Sequence, residues 1–198
     1  AALSLPEIPE SLLVIGGGYI GLELGSVYAA LGSRVTVVEM TSGLLPGIDR
    51  DLIVPLAKRL RSLFHAIHLQ TRVVDIADHP AGLLVTLENT RSGEIREESF
   101  ARVLVAVGRR PFTDHLDLPL AGLSPADRGF LETNADGRTA HPRILAAGDL
   151  AGNPMLAHKA THEARALVSR LLQRDAHPSP HVPAVVFTDP EIAWVGLT

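Results

Sequence analysis

The chain has 198 residues, 46% hydrophobic composition and a formal net charge of −4, so it is long enough for one domain with a core and some additional segments. Positive and negative charges are interspersed and aromatic residues make up 4% of the chain, which disfavours a nucleic-acid surface with a stacking platform. The absence of cysteine excludes a disulfide framework, a thiolate metal site and a thiol nucleophile among these residues.

A buried strand followed by a glycine-rich turn is predicted in the stretch LLVIGGGYIGLELG, residues 12–25. Residues 12–15 are apolar, and Gly16, Gly18 and Gly21 follow with the spacing G-x-G-x-x-G. In a dinucleotide-binding turn the first glycine makes the tight turn, the second lets a pyrophosphate approach the backbone, and the third allows helix and strand to pack closely. The next apolar residues recur at helical spacing. They predict a helix whose buried face consists of Ile20, Leu24, Val27 and Leu31.

A second strand is predicted over RVTVVEM, residues 34–40. Glu39 ends it, about 20 residues after the glycines, where an acid that binds the adenine ribose of NAD is expected. The spacing of the glycines alone is equally typical of a structural loop, and Glu39 alone could be a solvated residue at a strand end. Strand, glycines, helix, strand and acid in this order favour a dinucleotide site. Glu23 and the glycines interrupt residues 12–31 too often for a membrane span.

The period of the pattern changes after residue 70. A helix is predicted over residues 50–64 and a short strand over 66–69. Three extended segments then follow, over residues 71–77, 82–89 and 94–100, with turns between them. They predict an antiparallel meander in place of a crossover helix, and residues 101–108 return to a buried strand that ends at Gly108.

The last third of the chain is less regular. Residues 113–142 are rich in turn formers, and RILAAGDLAG, residues 143–152, predicts a second buried strand that ends at Gly148 and Asp149. Residues 158–174 predict a helix, residues 176–183 a proline-rich linker, and a new β segment begins at residue 184. The first residue is Ala1, and the last residues, AWVGLT, stop within a predicted strand, so we expect a piece of a longer protein.

Six segments together resemble the pyridine-nucleotide-disulphide oxidoreductases, in the family's own order. The segments are VIGGGYIGLELG, VTVVEM, AVGRRP, ILAAGDLAG, MLAHKATHEA and VVFTDPEIAWVGLT. The resemblance implies an α/β fold, with a doubly wound Rossmann-type NAD domain that carries an antiparallel β-meander, followed by a partial return of the FAD domain. The implied domains are residues 1–120 for NAD, 121–175 for the C-terminal part of the FAD domain, and 176–198 for the start of the dimerisation domain.

The resemblance also implies two cofactors, NAD and FAD, and assigns residues to each of them. The glycine-turn segment would wrap the NAD pyrophosphate, with Glu39 at the adenosine ribose and Val73 and Gly108 lining the nucleotide. Asp149 would hydrogen-bond the FAD ribityl chain. The complete set of implied cofactor-binding residues is Gly16, Gly17, Gly18, Tyr19, Ile20, Gly21, Glu23, Glu39, Val73, Gly108, Asp149, Met155, Leu156, Ala157 and His158. Tyr19, Ile20 and Glu23 would lie near the nicotinamide.

Simpler explanations exist for five of these residues. His158 is more readily explained as a packed or main-chain contact than as an acid or base. Tyr19 could merely cover the glycine turn, Glu23 could be a solvated helix residue, and Gly108 could be a strand-end turn. Asp149 could cap the helix that follows, since Asp is a common helix cap. The histidines show no metal-ligand spacing, so no metal site is expected. No catalytic residue is expected among these 198 residues, because the family's cysteine pair and C-terminal histidine are absent.

The implied activity is electron transfer from dihydrolipoamide through a disulfide and FAD to NAD, in a homodimer that serves the lipoyl domains of 2-oxo acid dehydrogenase complexes. Other family members remain alternatives, namely a soluble transhydrogenase and the glutathione and mercuric reductases, as does a non-catalytic NAD-binding module. No basic residue lies between Glu39 and Arg50, which favours NAD over NADP. No signal peptide is recognised, and we expect a cytoplasmic protein that binds neither nucleic acid nor membrane. Asp189 stands where the family more usually has His, with no evident consequence.

Overall fold

The fold is given by a computed structural model that describes residues 2–80, 82–174 and 181–196. The chain divides into two compact units, residues 1–108 with 185–198, and residues 109–184. The assignment of residues 1–120, 121–175 and 176–198 to three domains stays a prediction. Most of the predicted linker, residues 176–180, lies outside the described residues.

The first unit is built on a four-stranded parallel sheet with the strand order β3-β2-β1-β7. Its strands are β1 (Ser11–Ile15), β2 (Arg34–Val38), β3 (Ala66–His68) and β7 (Arg102–Val105). Helix α1 (Tyr19–Ala30) connects β1 to β2, and helix α2 (Arg50–Leu63) connects β2 to β3. The predicted α/β fold is therefore confirmed.

A three-stranded antiparallel meander connects β3 to β7, as predicted. Its strands are β4 (Thr71–His79), β5 (Gly82–Asn89) and β6 (Ile95–Phe100), in the order β4-β5-β6. Two further short strands, β8 (Ala184–Val186) and β9 (Ile192–Trp194), pair with each other.

The parallel sheet has a different cover on each face, because side chains alternate along a strand. Leu12 and Val14 of β1 belong to one buried cluster with residues of α1 and α2, and Val186 and Ile192 of the β8–β9 pair join that cluster. Leu13 belongs to a second cluster with the meander. The other buried members of this second cluster are Val38, Val85, Leu87 and Phe100. The helices therefore cover one face of the sheet, and the meander covers the other.

The buried face of α1 differs from the predicted one. Val27 and Leu31 are 52% and 53% exposed, and the buried residues of the helix are instead Gly21, Leu22, Gly25 and Tyr28. The prediction was wrong because the helix approaches the sheet through two glycines. Glycines contribute no apolar side chain to a periodic pattern, although they permit the closest contact between helix and strand.

The second unit contains helix α3 (Ala157–Leu171) and three short 3-10 helices at Leu118–Ala121, Asp127–Gly129 and Gly148–Leu150. Its core is a cluster of Leu118, Leu123, Leu131 and Ala146. The strand predicted over residues 143–152 is absent, and Leu145 makes an isolated bridge with Arg138. An apolar run becomes a buried parallel strand where neighbouring strands flank it, and no such neighbour lies beside it among the described residues of this unit.

Candidate functional site

The turn after β1 contains two glycines that its own packing requires. Gly16 has a φ of 111°, and a Cβ atom there would lie 2.4 Å from the carbonyl oxygen of Ala106. A Cβ atom on Gly21 would lie 2.2 Å from the carbonyl oxygen of Gly16. Both positions therefore exclude a side chain. At Gly16 the turn lies against Ala106, the residue after β7, and at Gly21 helix α1 touches the turn.

Gly18 is different, because nothing in the protein requires a glycine there. Its φ of −80° is accessible to any residue, and a Cβ atom would meet no protein atom within 4 Å. Gly18 is the N-cap of α1, so the open space lies at the end of a helix whose first N–H groups have no partner within the helix. Free N–H groups and the positive end of the helix dipole favour an anion at this place.

Glu39 is fixed directly beside the glycine turn. Its side chain is buried, with the residue 8% exposed, and its Oε2 accepts a hydrogen bond of 2.7 Å from the N–H of Gly17. Its Oε1 accepts a second bond of 2.7 Å from the N–H of Thr41. The backbone N–H of Glu39 donates to the carbonyl oxygen of His68 at 2.8 Å, so the residue is also held by the neighbouring strand.

A carboxylate offers about four acceptor positions, and the two backbone bonds to Glu39 use two of them. The remaining lone pairs suit hydroxyl donors such as those of a ribose. An anion cradle at Gly18 and a carboxylate next to it therefore fit the pyrophosphate and the ribose of a dinucleotide. Sequence reasoning placed Glu39 at this site but gave no sign of its bonds to Gly17 and Thr41.

Glu23 lies on α1, two residues after Gly21, and bonds to the segment between β8 and β9. Its Oε1 accepts a hydrogen bond of 2.8 Å from the N–H of Phe187, the residue after β8. Glu23 is therefore not simply a solvated helix residue. Tyr19 is 37% exposed and Ile20 is half-buried at the start of the same helix.

Val73 and Gly108 lie at different places in the first unit. Val73 is half-buried in β4 and packs against the core cluster under the meander, next to a break in the register between Val73 and Asp75. Gly108 follows β7 with a φ of 124°, and a Cβ atom there would meet no protein atom within 4 Å. The positive φ accounts for this glycine as a strand-end turn, and the open space leaves room for a ligand as well.

Asp149 lies within the 3-10 helix Gly148–Leu150 of the second unit. Its carboxylate is 45% exposed, and its Oδ2 lies 3.5 Å from an Nη atom of Arg109. The guanidinium of Arg109 also donates to the carbonyl oxygen of Met155, so one side chain bridges the two segments. The suggestion that Asp149 caps the following helix fails for α3, whose N-cap is Leu156.

The segment that leads into α3 contains the other predicted flavin residues. Met155 and Leu156 are half-buried, and Ala157 begins the helix. The ring Nε2 of His158 lies 2.6 Å from the carbonyl oxygen of Pro183, so His158 makes a main-chain contact.

Two candidate residues of this unit, Lys159 and Glu163, were not predicted from the sequence. Lys159 is 6% exposed and its Nζ lies 3.2 Å from Oε1 of Glu163, while Glu163 Oε2 accepts a bond of 2.7 Å from the N–H of Gly148. In the sequence, Lys159 and Glu163 lie four residues apart on a predicted helix. This spacing is typical of an ion pair, but it gives no indication that Lys159 is buried.

The comparisons with known proteins agree with this geometry. The profile of a family described as "Pyridine nucleotide-disulphide oxidoreductase" matches residues 1–164. The chain belongs to this family. Its members use FAD and a nicotinamide dinucleotide.

Two curated relatives of the family are named dihydrolipoyl dehydrogenase. The protein of Buchnera aphidicola subsp. Baizongia pistaciae is 41% identical over 198 residues, which is 100% of this chain and 42% of the relative. The protein of Halobacterium salinarum is 44% identical over the same length and the same shares. The chain therefore spans less than half the length of the curated relatives it matches.

Solved structures share the fold of the chain. LpdA from Mycobacterium tuberculosis has a TM-score of 0.87 at 31% identity, over 98% of this chain and 41% of that one. The HOCl-induced flavoprotein disulfide reductase RclA from Escherichia coli has a TM-score of 0.88 at 31% identity, over 99% of this chain and 44% of that one. Among the described residues, no helix combines the length and the apolarity that crossing a membrane requires.

Proposed function

We propose that residues 1–120 bind NAD(H). The single observation that carries this proposal is the open space at Gly18, on the N-cap of α1, next to the fixed carboxylate of Glu39. In this proposal the backbone N–H groups at the start of α1, residues 18–21, hold the pyrophosphate, and Glu39 accepts bonds from the ribose hydroxyls.

The same carboxylate favours NAD over NADP. Glu39 would face the 2′-phosphate of NADP with like charge, and like charges at a binding interface are unfavourable. Both of its oxygens are already bonded to backbone N–H groups, so the side chain is not free to swing away from a phosphate.

We propose that residues 121–175 belong to a flavin site and that residues 176–198 begin a dimerisation domain. Asp149 offers a half-exposed carboxylate to a hydroxyl donor such as the ribityl chain. Residues 155–158 would pass along the flavin, with Met155 held by Arg109. In this proposal FAD supplies the two-electron chemistry, and the chain's residues bind and orient the cofactors and exclude water.

For the longer protein we propose dihydrolipoamide oxidation, with electrons passing through a cysteine pair and FAD to NAD, in a homodimer that serves lipoyl domains. The curated relatives at 41% and 44% identity carry the name of this enzyme, which supports the proposal. A second candidate is reduction of another disulfide at the expense of a nicotinamide nucleotide. It is favoured by the likeness to RclA, which is described as a flavoprotein disulfide reductase and covers 99% of this chain.

The test is the activity of the longer protein, purified and assayed with each substrate pair. Reduction of NAD by dihydrolipoamide, with a flavin absorbance spectrum, is the expected result. A flavin spectrum without this turnover would contradict the assignment of dihydrolipoamide as the substrate. The disulfide reductase candidate would then be favoured. The 198-residue chain alone should carry little or no FAD, because the residues implied to contact the flavin supply only part of its site. It should have no turnover, because it contains no cysteine to accept the substrate's electrons.

A further inference from the structure

Lys159 is a buried cation on the inner side of α3, where a lysine needs a specific reason to be buried. Its Nζ donates to the carbonyl oxygen of Gly152 at 2.8 Å and to that of Gly148 at 3.1 Å, and it pairs with Glu163 at 3.2 Å. An ammonium group has three donors, so these contacts satisfy it completely. These bonds offset part of the desolvation cost of the buried ammonium, and removing one partner would leave a buried charge uncompensated.

All of these bonds converge on one short segment, residues 148–152. Lys159 binds a carbonyl at each end of the segment, and Glu163 binds the N–H of Gly148. Gly148 has a φ of 74°, and a Cβ atom there would lie 2.9 Å from the Cβ of Ala160, so the turn also packs closely on α3.

Asp149 lies within this segment, directly after Gly148, and the bonds that Lys159 and Glu163 make to the segment do not involve its side chain. Its carboxylate is 45% exposed, whereas Lys159 and Glu163 bond to the backbone on either side of it. Lys159 and Glu163 therefore fix the backbone that presents Asp149 without bonding to its carboxylate, whose Oδ2 pairs with Arg109 and whose Oδ1 is not part of that pair.

We infer that Lys159 and Glu163 are positioning residues for the flavin site, which hold residues 148–152 so that Asp149 meets a hydroxyl donor of the flavin's ribityl chain. This inference rests on the proposed flavin role of Asp149. Neither residue touches the flavin in this arrangement, and both act through Asp149. Binding geometry set by supporting hydrogen bonds of this kind is a general property of cofactor sites.

The first experiment measures the backbone directly, in the 198-residue chain without flavin. Lys159→Met and Glu163→Gln should speed hydrogen exchange of the amides in residues 148–152, because each change removes a tie to that segment. Lys58→Met is the matched control, since Lys58 is exposed on α2. Unchanged exchange in both variants would overturn the inference, and this result would not depend on any flavin.

The second experiment measures FAD affinity in the longer protein, by flavin fluorescence after removal and return of the cofactor. Lys159→Met should weaken FAD binding about tenfold or more, since a broken buried pair leaves its partner unsatisfied. Asp149→Ala should weaken FAD binding as well. The double variant Lys159→Met/Asp149→Ala should bind FAD no more weakly than Asp149→Ala alone. Additive losses would overturn the inference, because they would mean that Lys159 does not act through Asp149.

The outcomes separate this inference from the proposed function. If the unmodified longer protein binds no FAD, the proposed flavin site is wrong and the inference fails with it. If it binds FAD and Asp149→Ala weakens binding while Lys159→Met and Glu163→Gln do not, the proposed function stands and the inference fails. A stability loss in Lys159→Met with unchanged FAD affinity after reconstitution would also overturn it, because the pair would then have a structural role without a positioning one.

Discussion

The carboxylate of Glu39 at the end of β2 accepts a hydrogen bond of 2.7 Å from the backbone N–H of Gly17, 22 residues earlier in the chain. The residue after β2 thus holds the glycine turn that follows β1, the neighbouring strand. Because the same carboxylate also binds the N–H of Thr41, the geometry of the glycine turn and the position of the acid depend on each other.

Glu39→Gln should therefore affect stability as well as nucleotide binding. Glutamine keeps one oxygen acceptor, so one of the two backbone N–H groups would face an amide NH₂. We expect the free energy of unfolding, measured by urea denaturation, to fall by about 1–3 kcal/mol. Glu191→Gln is the control, because Glu191 is exposed. Equal stability of the two variants would show that the bonds to Glu39 contribute nothing.

Valine substitutions at Gly18 and Gly21 should separate binding from folding. Gly18→Val places its Cβ in open space, so we expect a stability loss of about 1 kcal/mol from the poorer helix cap and a loss of NADH binding. Gly21→Val places its Cβ against the carbonyl oxygen of Gly16, so we expect the free energy of unfolding to fall by about 3 kcal/mol or more. Thermal unfolding and NADH titration of both variants provide the measurement. Normal NADH binding by Gly18→Val would mean that the open space is not the pyrophosphate site.

The stability of the first unit should depend on the protonation of His68. Burial lowers the pKa of His68, and the positive charge of Arg96 lowers it further. The unfolded chain then binds more protons than the folded chain, so the free energy of unfolding should fall as the pH drops below about 6.5 and level off below the folded pKa. Urea denaturation over this pH range should show that the free energy of unfolding depends less on pH in His68→Gln than in the exposed control His79→Gln. Identical pH profiles of the two variants would contradict the prediction.

The ion pair between Arg59 and Asp189 should contribute little to the free energy of unfolding. The two side chains lie 3.3 Å apart but are 47% and 82% exposed, and exposed pairs contribute about 0–1 kcal/mol. Asp189→His, which introduces the residue that the family resemblance implies, should change the free energy of unfolding by less than about 1 kcal/mol and leave NADH affinity unchanged. Denaturant unfolding at low and high salt tests this. A large loss would assign Asp189 a role in docking β8 and β9 that its exposure does not suggest.

The central part of the fold was predictable because local signals agree over residues 11–105. The apolar run of β1, the glycine spacing and the change to a period of two at the meander each predict one element, and all three are confirmed. The buried face of α1 was not predictable from hydrophobic periodicity. Gly21 and Gly25 lie on it, and a glycine contributes close contact without apolar surface.

The candidate site was predictable in its residue types and not in its contacts. Gly18 and Glu39 could be selected from spacing, but the bond between Glu39 and Gly17 depends on how β1 and β2 pair. Residues 143–152 were mistaken for a strand because periodicity cannot distinguish a buried strand from an apolar turn packed under a helix. The burial of Lys159 was equally invisible, since an i, i+4 pair is most often found on a solvated surface.

The most direct test of the proposed NAD site is calorimetric titration of the 198-residue chain with NADH and with NADPH. If Glu39 accepts bonds from the ribose hydroxyls beside the cradle at Gly18, NADH should bind, and it should bind at least about tenfold more tightly than NADPH. Equal or tighter binding of NADPH, or no binding of either nucleotide by the folded chain, would contradict the account.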